Sequence, residues 1–110
     1  MKRALRFFLI ISILLTAFSS FAVDVPYLTG RVTDHAQILS DETRKSITER
    51  LKAHEDKTTN QIAVLTVPTL DGIGIEEYAV AVFQEWKLGQ KGKDNGILVV
   101  VAPNDRRMRI

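Results

Sequence analysis

The chain of 110 residues has no cysteine, two histidines and one tryptophan. Without cysteine no disulfide restrains a small fold, although the absence is compatible with an oxidising compartment where disulfides go unused. Only His35 and His54 could offer ring nitrogens, so a zinc centre has no support. Phosphate-cradling glycine signatures are missing too. Residues 68–74 read PTLDGIG, which is neither a Walker-type nor a dinucleotide-binding glycine pattern, and no nucleotide cofactor is expected. No Cys-x5-Arg, no histidine nucleophile pair and no Asp-x-Asp is present to serve phosphoryl chemistry. A basic surface is also lacking. The formal charge of +2 rests on Lys2, Arg3 and Arg6; without them 12 basic residues face 13 acidic ones. That balance gives no reason to expect a nucleic-acid partner.

The three early basic residues introduce an apolar run from Phe7 to Phe18, and Ser20 and Ala22 sit at the −3 and −1 positions of a cleavage site. This is the three-part pattern of a secretory signal peptide over residues 1–22. An uncleaved N-terminal anchor is the other reading, and both export the chain to an extracytoplasmic, periplasmic location. Cleavage leaves 88 residues, enough for one small domain with one core.

Residues 23–31, with Pro26 and Gly30, read as an extended leader. The segment from Val32 to Ala36 places Asp34 in a polar turn, where an aspartate commonly bonds its own backbone and could alternatively act as a carboxylate ligand. Ser40 is an N-cap before a helix expected over about Asp41–Asp56, with Ile47, Leu51 and His54 on a narrow inner stripe and charges elsewhere. Gln61–Val67 is apolar and β-branched, a buried strand. A second helix is expected over about Ile75–Lys87, with Tyr78, Ala79, Val82, Phe83 and Trp86 facing the core and Gly89 as its left-handed C-cap. Ile97–Ala102 is unbroken and apolar, as in a central strand covered on both faces. A tight turn at 102–105 then leads into the alternating Arg107–Ile110, a hairpin strand. The order is that of an α/β fold, a small central sheet with helices packed on it.

Several pieces together resemble the TPM domain family. They are Val32-Thr33-Asp34-His35-Ala36 with Ile38-Leu39-Ser40, then Gln61–Val67, Ile75–Ala79, Phe83–Gly89, and Asp94-Asn95-Gly96-Ile97-Leu98 leading to Asp105-Arg106-Arg107. The resemblance implies a TPM-like domain over residues 32–110, exposed outside the cytoplasmic membrane. It also implies a continuation past Ile110 into a Gly-Tyr-Gly segment and a final helix, and in many bacterial members a transmembrane helix. The expectation is therefore of a domain truncated at its C-terminus. Some plant members are described as acid phosphatases, and some family domains bind a divalent cation.

Three functional readings stand. The first is a metal-supported interaction or accessory domain with membrane-associated protein partners. Its oxygen ligands would be Asp34, Asp94 and Asn95, and oxygen-only donors suit Ca2+ or Mg2+. Asp94 and Asp105 flank one strand and lie roughly 20 Å apart at about 3.3 Å per residue, so they cannot share an ion, and Asp34 can join only one end. The second is a phosphatase in which Arg106 and Arg107 grip phosphate; those arginines also read as an exposed face protecting an edge strand. The third is a fragment with no function of its own.

Overall fold

The computed structural model describes residues 23–89 and 92–110. The expected signal segment, residues 1–22, lies outside them. Four strands form one sheet in the order β1 (Val32–Asp34), β2 (Gln61–Thr66), β3 (Gly96–Ala102) and β4 (Arg107–Arg109). β1, β2 and β3 are parallel, and β4 runs antiparallel to β3. Helix α1 (Asp41–Thr58) links the first two strands and helix α2 (Ile75–Trp86) links the next two. The α/β expectation holds, and β1 is an addition to it. Three residues are too few for a period-2 pattern, and β1 exists because it adds onto the edge of β2, with Val32 opposite Val64.

Local chemistry sets the helix boundaries. The Ser40 hydroxyl accepts the Thr43 amide at 3.1 Å, and Asp41 and Glu42 sit at the positive end of the α1 dipole. The helix closes at Thr59, whose left-handed backbone sends its amide to the Glu55 carbonyl. No α1 residue is fully buried. Ile47 and Leu51 are half-covered, whereas His54 is exposed and does not extend the stripe. The narrowness of that stripe explains this: one turn of apolar contact anchors α1, and the Arg31–Glu55 ion pair at 2.9 Å ties its far end to the entry of β1. Helix α2 ends at Trp86, with Lys87 rather than Gly89 as the left-handed cap.

One face of the sheet carries the core. Ala63, Leu65 and Val67 from β2 and its end, and Leu98, Val100 and Ala102 from β3, pack against Ile75, Tyr78 and Val82 of α2. Leu65, Val82 and Val100 lose all solvent contact, each contributing about 1.5–3 kcal/mol by transfer. The alternate residues Val99 and Val101 are only half-buried, so β3 is not covered on both faces as its apolar run suggests. Phe83 also departs from expectation. It stands at the rim of a groove lined by Ile97, Leu98 and Ile110, 37% exposed.

The amino end of the sheet is closed by a backbone contact that needs glycine. A Cβ on Gly96 would come within 2.7 Å of the Gly89 nitrogen and the Leu88 carbonyl carbon, and Gly89 itself has φ +92°. The Gln61 side chain accepts the Gly89 amide at 2.8 Å, holding the return loop against the start of β2. Gly96→Ala is expected to lower stability by about 1–3 kcal/mol through overpacking. Gly92→Ala, whose Cβ would meet nothing, should cost less, through its φ of +81° alone. Urea unfolding of the two variants checks the ranking.

Candidate functional site

The parallel strands deliver Asp34, Thr66 and Ala102 to one end of the sheet, their carboxyl end, where ligands of open α/β sheets gather. The loops 35–40, 67–74 and 103–106 meet there. The Asp34 carboxylate accepts the amides of Ile38 at 3.1 Å and Leu39 at 2.9 Å, and the Thr66 hydroxyl donates to it at 2.6 Å. Asp105 does the same for the next loop. It accepts the Leu70 amide at 2.6 Å and the Thr69 hydroxyl at 3.3 Å, while the Asn104 amide bonds the Pro68 carbonyl.

Asp94 and Asn95 occupy the opposite, amino end. In the sheet register Asp34 stands level with Thr66 and Val101, seven residues beyond Asp94 and roughly 20 Å away at about 3.3 Å per residue. Asn95 clamps the return loop: its side-chain amide donates to the Thr59 carbonyl at 2.7 Å, and its own carbonyl accepts the Gln61 amide. Asp94 is exposed, in left-handed backbone at φ 48°. The structure thus does not bring Asp34, Asp94 and Asn95 together, and no three His, Cys, Asp or Glu side chains are grouped for a metal ion among the described residues. The three residues do not fit a shared divalent-ion centre.

Two clefts open at the carboxyl end. One, of about 330 Å³, lies between the 70–74 loop, Asp105 and Arg107 beside the start of α2, whose N-cap Gly74 supplies no side-chain acceptor. Arg106 caps the preceding turn in left-handed backbone, and Arg109 pairs with Glu76 at 3.0 Å. The other cleft, of about 240 Å³, is floored by Tyr78 and flanked by Asp24, His35 and Asp71. Burial, then the charges of Asp24 and Asp71, push the Tyr78 phenol above its ordinary pKa, so it stays protonated.

Asp24 and Asp71 escape a reading by sequence, since one lies in the leader and the other in a loop. Their positions follow from long-range bonds: the Trp86 indole donates to the Pro26 carbonyl at 2.9 Å, and Asp105 holds the loop that carries Asp71. The available signal was Tyr78 itself, a hydroxyl on a stripe that otherwise needs only apolar atoms.

The family model of the TPM domain, titled TPM phosphatase, matches residues 32–110. The chain belongs to the TPM domain family. Among solved structures, the N-terminal domain of a protein from P. gingivalis is similar at 30% identity and TM-score 0.67, covering 74% of this chain and 52% of that one. The N-terminal domain of a Corynebacterium glutamicum protein matches at 19% identity and TM-score 0.62, over 80% and 56% of the two chains. The TPM chain described here therefore spans about half the length of these solved chains. No curated protein matches it.

Burial alone would raise the Asp34 pKa, but the Thr66 hydroxyl, the Leu39 and Ile38 amides and the charge of Arg44 outweigh it and hold the carboxyl below its ordinary range. A depressed folded pKa contributes stability above the unfolded value near ~3.9, and that contribution is lost as pH falls through the folded value. Asp34→Asn should lose about 1–3 kcal/mol of unfolding free energy at neutral pH. The gap from the parent chain should narrow below roughly pH 4. Urea titrations across pH provide the check; a gap independent of pH would show that the charge is not what closes this loop.

Proposed function

We propose that this TPM domain acts outside the cytoplasmic membrane as a non-catalytic interaction or accessory module for membrane-associated protein partners. The observation carrying the reading is how the site carboxylates are used. Asp34 and Asp105 have their oxygens turned to loop amides and to the Thr66 and Thr69 hydroxyls, bonds that close the loops. Apolar surface remains open elsewhere: Val80, Phe83, Ile97 and Ile110 border a groove of about 410 Å³ between α2 and the β3–β4 edge. Export is supported by the signal-peptide pattern of residues 1–22. Among the described residues no helix is long and apolar enough to cross a membrane.

A second reading, phosphomonoester hydrolysis, is favoured by the cleft at the start of α2. Arg107 faces it, and the first α2 amides lack a side-chain acceptor, a combination suited to an anion. Glu76 and Glu77 in the same turn oppose that charge.

The two readings separate cleanly. The purified chain is expected to hydrolyse p-nitrophenyl phosphate no faster than buffer, with or without calcium. A photo-crosslinker at Phe83 should give discrete adducts with membrane-fraction proteins, and one at Lys52 on the solvated α1 face should give none. Hydrolysis that disappears in Arg107→Ala and persists in Asp94→Ala would overturn the interaction reading in favour of the enzyme.

A further inference from the structure

We propose that Asn95 is a site of spontaneous covalent modification, at which attack by the Gly96 amide nitrogen releases ammonia and leaves aspartate or isoaspartate. The only co-reactant is water, and the inference is independent of the interaction reading. An Asn-Gly pair is open to this chemistry because glycine has no side chain to obstruct its nitrogen as it approaches the preceding carboxamide. The chain has three asparagines, and the structure separates them. Asn60 precedes Gln61, whose amide is already held by the Asn95 carbonyl at 2.9 Å. Asn104 precedes Asp105, whose carboxylate opposes the amide anion that makes the attack. Gly96 is placed differently. In a parallel ladder Gln61 bonds the groups flanking the residue level with it, here the Asn95 carbonyl, so Gly96 turns its own backbone groups away from β2. On that far side β4 reaches no further along β3 than Val100. Neither neighbouring strand therefore engages the Gly96 nitrogen.

The step is redox-neutral. The Gly96 nitrogen bonds to Asn95 Cγ, the Cγ–Nδ2 bond breaks, and Nδ2 leaves as ammonia with the proton that the Gly96 amide gives up. Water then opens the cyclic imide at either carbonyl. One opening gives aspartate, and the other gives isoaspartate, which carries an extra methylene in the main chain. Both products undo the clamp. Nδ2 is the atom that donates to the Thr59 carbonyl at 2.7 Å, and a carboxylate oxygen in its place sets one acceptor against another. Isoaspartate also lengthens the chain immediately before β3, where Gly96 stands level with Gln61. There is no slack at that point, since a single Cβ on Gly96 would already lie 2.7 Å from the Gly89 nitrogen. Because the departing group is the one that holds the clamp, attack proceeds only from moments of release, and its rate follows local opening of this end of the sheet.

The test is incubation of the folded whole chain in mildly alkaline buffer, with peptide mapping by mass spectrometry and isoaspartyl methyltransferase labelling at intervals. Conversion should accumulate at Asn95 about tenfold or more faster than at Asn60 or Asn104, and should quicken as pH rises. Asp71-Gly72 can form isoaspartate as well, but without loss of ammonia, so the peptide masses tell the two sites apart. Asn95→Gln, whose longer side chain closes the ring far more slowly, should remove the signal. Asn95→Asp, the product made directly, should exchange its Gln61 amide hydrogen about tenfold faster than the parent, with the Trp86 indole signal unmoved as proof of folding. The aged parent fraction carrying the new charge, separated by ion exchange, should show the same faster exchange. Conversion confined to the urea-unfolded chain, faster conversion at Asn60 or Asn104, or unchanged Gln61 protection in the aged fraction would each overturn the proposal.

Discussion

A parallel sheet of short strands leaves its exit loops with amides that the strand ladder cannot satisfy, and in this TPM domain two aspartates take them. Asp34 closes the loop after β1 and, through the Thr66 hydroxyl, locks that loop to the end of β2. Asp105 closes the loop after β2 from the turn after β3. The Asp34–Thr66 and Asp105–Leu70 bonds join segments 32 and 35 residues apart in sequence. Because β1 has three residues and α1 buries none of its side chains completely, the first βαβ unit has little apolar packing of its own. Its position depends on these charge-assisted bonds more than on area buried.

That structural use of acid decides how the remaining acids can be read. A carboxylate with both oxygens committed to loop amides is a poor ligand donor, because binding an ion would release the amides it satisfies. Asp34 is in that position, and Asp105 gives one oxygen to the Leu70 amide and shares the Thr69 hydroxyl between both. Asp24 and Asp71 are not, and they line a cleft together with the protonated Tyr78 phenol. The chemically available negative charge thus lies beside the latch rather than in it.

The sequence made the helices, the β2 and β3 strands and the final hairpin legible because each rests on periodicity or capping within a short window. Ser40 capping α1, and the Tyr78–Val82 stripe of α2, are local facts. What escaped was non-local. β1 becomes a strand only through its pairing with β2, and the half-exposed second face of β3 follows from where α1 sits, against β1 and β2. The pairing of Asp34 with either end of the sheet was undecidable from spacing, since nothing local fixes the sheet register. The register places it with Asp105, at the end opposite to Asp94 and Asn95. Asp94-Asn95-Gly96, attractive as a polar corner, is accounted for by closure: the Asn95 side chain clamps Thr59, and Gly96 admits the Gly89 backbone.

The two ends of the sheet are consequently specialised by different physics. At the amino end, glycine and amide contacts bring backbone against backbone, and a ligand has no room where a single methyl group would already collide. At the carboxyl end, the latches hold loops apart and leave clefts between them. The Tyr78 ring fills core volume beneath the cleft, while its hydroxyl is not among the buried unpartnered atoms of the described residues and keeps contact with solvent. A tyrosine there joins the core to the wet cleft, an apolar ring below and a polar tip at the water, as amphipathic side chains at such boundaries do.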